Sequence, residues 1–119
     1  MKSLLATLSM CLMAFSGLAP AAEFKVLVVM SYEEDNPWVK EIREGIDGVL
    51  RLSSEVVYFH MNTKADREGG AKKAEEAFAL FRSLQPSGVI TVDDDAQALF
   101  VLPYLKGKTA TPVMFSGVN

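Results

Sequence analysis

The most conspicuous polar run in the chain is three consecutive carboxylates, Asp93, Asp94 and Asp95. They follow a short apolar stretch and precede an apolar segment with helical spacing. One Asp is therefore expected to cap that helix, where carboxylates also complement the helix dipole. A carboxylate released from capping would accept hydrogen bonds from an amine or hydroxyl of a small solute. Three successive carboxylates on a regular backbone do not face one ion, and the Asp/Asn-Gly spacing of a calcium loop is missing. Ser31 and Tyr32 offer a hydroxyl and an amphipathic ring, and Trp38 adds an indole. Such groups hydrogen-bond a polar solute and close over its apolar part, or else cover the top of a sheet. Ser116, Gly117 and Asn119 form a polar end after the last apolar run.

Other chemistries lack their parts. His60 is the only histidine and Cys11 the only cysteine, which argues against a zinc site. His60 is expected at the surface or in a hydrogen bond. No G-x-S-x-G elbow is present, and Gly69-Gly70 lacks the surroundings of a phosphate-binding loop. Those two glycines are read as loosening a helix start or letting it pack closely. No constellation for catalysis emerges, so the expectation is a protein that is not an enzyme and uses no cofactor or metal.

The elements that must position these residues alternate regularly. The run 24–30 is almost wholly apolar and β-branched, as in a strand buried on both faces. Asn36 and Pro37 suit the cap and first turn of a helix whose apolar face is Val39, Ile42, Ile46, Val49 and Leu50. A second strand is expected over 55–59 and a second helix over about 66–84, with Ala71, Ala74, Phe78 and Phe81 buried. A third strand over 89–92 leads into a third helix carrying Leu99, Phe100 and Leu102, which Pro103 is expected to bend or end. A fourth strand spans 112–115. This β-α-β-α-β-α-β pattern implies an α/β fold in three layers, a parallel sheet with helices on both faces. Right-handed crossovers favour the strand order 2-1-3-4, with a switch point between the first and third strands. Ligands of open α/β sheets bind beyond the carboxyl ends of the strands beside such a point. That rule selects Ser31 and Tyr32, His60 and Met61, Asp93 to Asp95, and Ser116 to Asn119, of which the first and third groups flank the expected crevice directly.

The start of the chain has a different character. Lys2 precedes an apolar run to Gly17, and Ala19-Pro20-Ala21 has the small residues that signal peptidase accepts. The run is shorter than the about 20 residues that span a bilayer, so 1–21 reads as a cleavable secretion signal cut after Ala21. Removing it removes Cys11, leaving no internal disulfide, which suits a bacterial periplasm. The remainder, 22–119, is about 98 residues, one small domain. The formal net charge of −3 becomes −4 once Lys2 is gone. That mild acidity gives no reason to expect nucleic acid or an anionic membrane as partner.

Two stretches of the sequence resemble a known family. The first is Lys25-Val26-Leu27-Val28-Val29-Met30-Ser31-Tyr32 with Pro37-Trp38 and Glu44-Gly45-Ile46. The second is Val89-Ile90-Thr91-Val92-Asp93-Asp94-Asp95-Ala96-Gln97, then Pro103-Tyr104 and 112–119. In order and spacing they resemble the periplasmic solute-binding proteins of the ABC transporter substrate-binding family, and related extracellular sensor domains. The resemblance implies a type 1 periplasmic-binding-like fold in which two lobes close on a small molecule, an amino acid for example, for delivery to an ABC permease in the inner membrane. It covers the first part of the first lobe, so 22–119 is expected to be an incomplete N-terminal lobe with an open sheet edge. Carried over residue by residue, it makes Ser31, Tyr32, Trp38, Asp93, Asp94, Ser116, Gly117 and Asn119 the ligand-side candidates. Alternatives are the ligand-sensing domain of a signalling protein and a truncated, non-functional fragment. A phospho-receiver domain shares the size and element order, but Ser31-Tyr32 stands where receivers carry an acidic pair. Export also disfavours it.

Overall fold

The computed structural model describes residues 24–119. The expected signal 1–21, its cut after Ala21, and Cys11 lie outside the described residues. At the centre is β1 (Phe24–Met30), whose last four residues are buried. Polar Glu33, Glu34 and Asp35 end it, and Asn36 starts α1 (Pro37–Leu50). The Asn36 side chain accepts the Trp38 backbone N–H at 3.0 Å, and Pro37 occupies the first turn. The chain continues through β2 (Ser54–His60), α2 (Gly70–Leu84), β3 (Gly88–Val92), α3 (Ala96–Leu105) and β4 (Val113–Ser116). The four strands are all parallel, in the order β2-β1-β3-β4. This is the three-layer α/β arrangement expected from the alternation.

Strand pleating divides the core in two. Val28, Met30 and Val92 face α1, meeting Val39 with Ile42, Ile46 and Leu50 around it. Leu27, Val29 and Val89 face the other way, onto Ala74 and Ala77 of α2 and Phe100, Val101 and Leu105 of α3. Each fully buried aliphatic side chain of this kind contributes roughly 1.5–3 kcal/mol. Val49, expected on the apolar face of α1, is exposed instead.

The second helix begins later than the apolar pattern suggests. Asp66 accepts the Gly69 N–H at 2.9 Å in a turn that delays the helix to Gly70. Gly70 is buried, and a Cβ there would lie 2.8 Å from Leu99 Cδ1. Its lack of a side chain lets α2 close on α3. The buried stripe is thus Gly70, Ala74 and Ala77, with Phe78 and Phe81 partly covered and Ala71 in solvent.

The third helix departs most from expectation. It runs through Pro103 to Leu105 as a π-helix, with the Lys106 N–H donating to Val101 five residues back at 2.8 Å. A proline has no N–H and crowds the carbonyl four residues before it in an α-helix. The wider winding moves that register by one residue. It also brings Ala96, Phe100, Val101 and Leu105 onto the buried face, four and five residues apart, and turns Leu102 outward. Among the described residues no strand pairs the outer edge of β4, where Met114 is 69% and Phe115 64% exposed.

Candidate ligand site at the strand switch point

Since α1 leaves β1 towards one face and α3 leaves β3 towards the other, the carboxyl ends of β1 and β3 form the switch point. Ser31 fills its base and has no exposed surface. Its hydroxyl donates to the Val92 carbonyl at 2.7 Å and accepts the Ala96 N–H at 2.8 Å. The cap of α3 therefore comes from a serine 65 residues earlier. This corrects the expectation that one of the three aspartates caps α3: the Asp95 side chain makes no cap hydrogen bond. Asp95 instead accepts from the Thr63 hydroxyl at 2.6 Å, while the Thr63 N–H donates to the Ser31 carbonyl at 2.9 Å. Together these bonds tie the loop after β2 across the end of β1 to the start of α3. Wholly buried, donating once and accepting once, the Ser31 hydroxyl acts as a brace within the protein.

Asp93 sits on the opposite side of the switch point, and its environment differs. Its backbone is left-handed, with φ of 68°, a conformation Asp tolerates better than most residues. Its N–H donates to the Ser116 carbonyl at 2.9 Å. The side chain turns inward and is only 7% exposed. Oδ1 accepts from the Trp38 indole N–H at 3.2 Å. Oδ2 is closed off from solvent and has no hydrogen-bond partner. Burial pushes the Asp93 carboxyl above its ordinary range, and the charges of Asp94 and Asp95 push the same way. The Trp38 hydrogen bond and the Lys64 ammonium oppose them.

The remaining candidates gather around this carboxylate. The Trp38 indole bridges the β1 and β3 sides, yet the residue is 46% exposed, so the ring covers Asp93 from solvent. Tyr32 is partly buried, with the Lys64 ammonium 5.1 Å from its ring centre. Burial first, then the charges of Asp93, Asp95 and Asp94, raise the Tyr32 pKa, so its hydroxyl remains a donor at neutral pH. Gly117 follows β4 with φ of 70°, and a Cβ there would lie 2.8 Å from Asp93 Oδ1. Only glycine lets the chain pass so close in that conformation. The Asn119 N–H donates to Asp94 Oδ1 at 3.1 Å. Ser116 contributes its carbonyl, and its side chain is exposed.

Thr63, Asp95 and Lys64 are neighbours of the site that were not singled out as ligand-side residues. Their contacts bridge loops far apart in sequence, so no local motif marks them. His60, partly buried at the end of β2, donates from Nδ1 to the Tyr32 carbonyl at 3.1 Å, since a carbonyl can only accept. Its Nε2 is buried and unpaired.

Open space lies elsewhere. A groove of about 360 Å³ runs between α3 and β4, lined by Gln97, Val101, Leu105, Thr111 and Phe115 among others. The Asp93 carboxylate does not line it, because Trp38 and Gly117 close over that group. Among the described residues no group of three or more His, Cys, Asp or Glu is placed to hold a metal ion. Likewise, no helix there is long and apolar enough to cross a membrane. No family model, curated protein or solved structure matches the chain.

Proposed function

We propose that the chain is an extracytoplasmic solute-binding component of an ABC transporter, with the β1/β3 switch point as its ligand side. It captures a small molecule by closure of a second lobe over this rim and delivers it to a permease in the inner membrane, without bond-making chemistry. The observation that carries this reading is a buried carboxylate with one unpartnered oxygen, located where open parallel sheets take ligands. Buried polar groups are normally satisfied, and an unsatisfied one costs about 1–3 kcal/mol. A partner arriving from outside would offset that cost at Asp93. The periplasmic location follows from the secretion signal read in the sequence, and the absence of a nucleic-acid partner from the mild negative charge.

A thermal-shift screen against amino acids and other small solutes, on the protein with its second lobe present, tests the reading. At least one solute should raise the melting temperature in a saturable way, since binding at 100 times Kd adds about 2.7 kcal/mol. Stabilisation by none of them overturns it.

A further inference from the structure

We propose that the amino-end face of the sheet is a docking surface for an anionic phospholipid bilayer, with the switch point turned away from it. The mild net charge of the chain hides a separation of sign along the strand axis. All four strands are parallel and each helix returns the chain, so every strand starts at one end of the molecule and finishes at the other. The loops beyond the carboxyl ends, 31–36, 61–69 and 93–95, are rich in Glu and Asp, with Lys64 and Arg67 as their only bases. The loops at the amino ends, 51–53, 85–87 and 106–112, hold Arg51, Lys106 and Lys108 and no acid. Arg82 in the last turn of α2 and Lys25 near the start of β1 add to that end, and all these bases are exposed. Opposing them, Asp47 pairs with Arg51 at 2.9 Å, and Glu55 lies beside Lys25 in the register. Among the described residues Lys25, Arg82, Lys106 and Lys108 form no ion pair.

Cations at helix C-termini complement the helix dipole, which accounts for their sign. It leaves the apolar residues among them unexplained. Leu52, just after α1, is 93% exposed; Val49 in the last turn and Phe24, beside Ser54 at the start of β1, are exposed too. Bases around exposed apolar side chains suit a surface that inserts into an anionic headgroup layer. The four strands spread these groups over about 14 Å, and the helices on both faces spread them further. One small anion cannot meet them all, whereas a charged plane can. A nucleic acid would match the charge but leave Leu52, Val49 and Phe24 in water. Residues 18–23 alone separate the apolar run of the expected secretion signal from Phe24, so export leaves this face nearest the bilayer. The same bilayer repels the acidic rim, which sets the orientation. β1, seven residues long, then holds the switch point about 23 Å from the base and open to solutes. Delivery to a permease starts with release, which a salt-sensitive contact allows.

The test is sedimentation of the protein as exported, with its second lobe present, with vesicles of equimolar phosphatidylglycerol and phosphatidylcholine, or of phosphatidylcholine alone. Binding to the anionic vesicles should be about 100-fold tighter and should weaken as salt rises. Each base near such a surface is worth about fivefold, so Arg82→Gln with Lys106→Gln should cut binding about 25-fold. Leu52→Gln should cut it about fivefold. None of these residues touches the switch point, so stabilisation by a solute in the thermal screen should be unchanged, and the two readings fail separately. Absent or equal binding to the two vesicles, or binding that these substitutions leave unchanged, overturns the bilayer assignment. Binding to a DNA duplex in place of the anionic vesicles overturns it too and gives the face to nucleic acid.

Discussion

The ends of β1 and β3 lie side by side, and each buries a polar side chain, but the two are treated in opposite ways. At the end of β1, Ser31 donates once, accepts once and has no exposed surface. At the end of β3, Asp93 is nearly as buried, carries the larger desolvation cost, and leaves one oxygen without a partner. On the proposed function, the difference separates structural from ligand-side polarity. A satisfied buried hydroxyl locks two loops in place, whereas a half-satisfied carboxylate keeps a stabilising interaction in reserve.

The largest effect is expected on the β1 side. Ser31→Ala removes the acceptor for the buried Ala96 N–H, whereas the Val92 carbonyl keeps the Ser31 N–H at 3.1 Å. Urea unfolding should show a loss of about 2–3 kcal/mol. A loss below about 0.5 kcal/mol, the usual size of a neutral surface change, would mean that Ser31 is not the brace described. Gly117→Ala comes next, because a Cβ at φ of 70° is strained and would lie 2.8 Å from Asp93 Oδ1. The expected cost is about 1–2 kcal/mol, with a change in Trp38 emission as the carboxylate shifts. Unaltered emission would show that Gly117 does not press on the Asp93–Trp38 pair. Thr63→Val should cost about 1 kcal/mol, since Asp95 is exposed enough to find water in place of the lost hydroxyl. A cost equal to that of Ser31→Ala would instead make the Thr63–Asp95 bond an equal part of the brace.

Much of the fold was legible because its signals are local. The apolar run of β1, the Asn36-Pro37 cap and the strand–helix alternation record short-range patterns, and right-handed crossovers turn that alternation into a strand order. The strand ends also put Asp93, Asp94, Gly117 and Asn119 side by side, with Gly117 against Asp93 and Asn119 bonded to Asp94. The division of labour between Ser31 and Asp93 was not legible. Which hydroxyl caps α3 depends on a contact across 65 residues, and three adjacent aspartates look alike until the backbone turns one inward. The π winding of α3 was hidden for a related reason. Apolar residues are dense from Ala96 to Leu105, so no helical period stands out, and packing against α2 selects the face.

The claim that Asp93 is held for an external partner predicts an effect of unusual sign. Its folded-state pKa is raised, so the ionised form costs stability above that pKa, and the cost fades as pH falls through it. Asn keeps an acceptor for the Trp38 N–H and tolerates the left-handed backbone, while carrying no charge. The most direct measurement is therefore the urea unfolding free energy of Asp93→Asn against the parent chain, at neutral pH and in acid, without solute. The variant should be the more stable at neutral pH, with the gap closing as the pH falls. A variant less stable than the parent at neutral pH would make Asp93 a structural carboxylate and contradict the account.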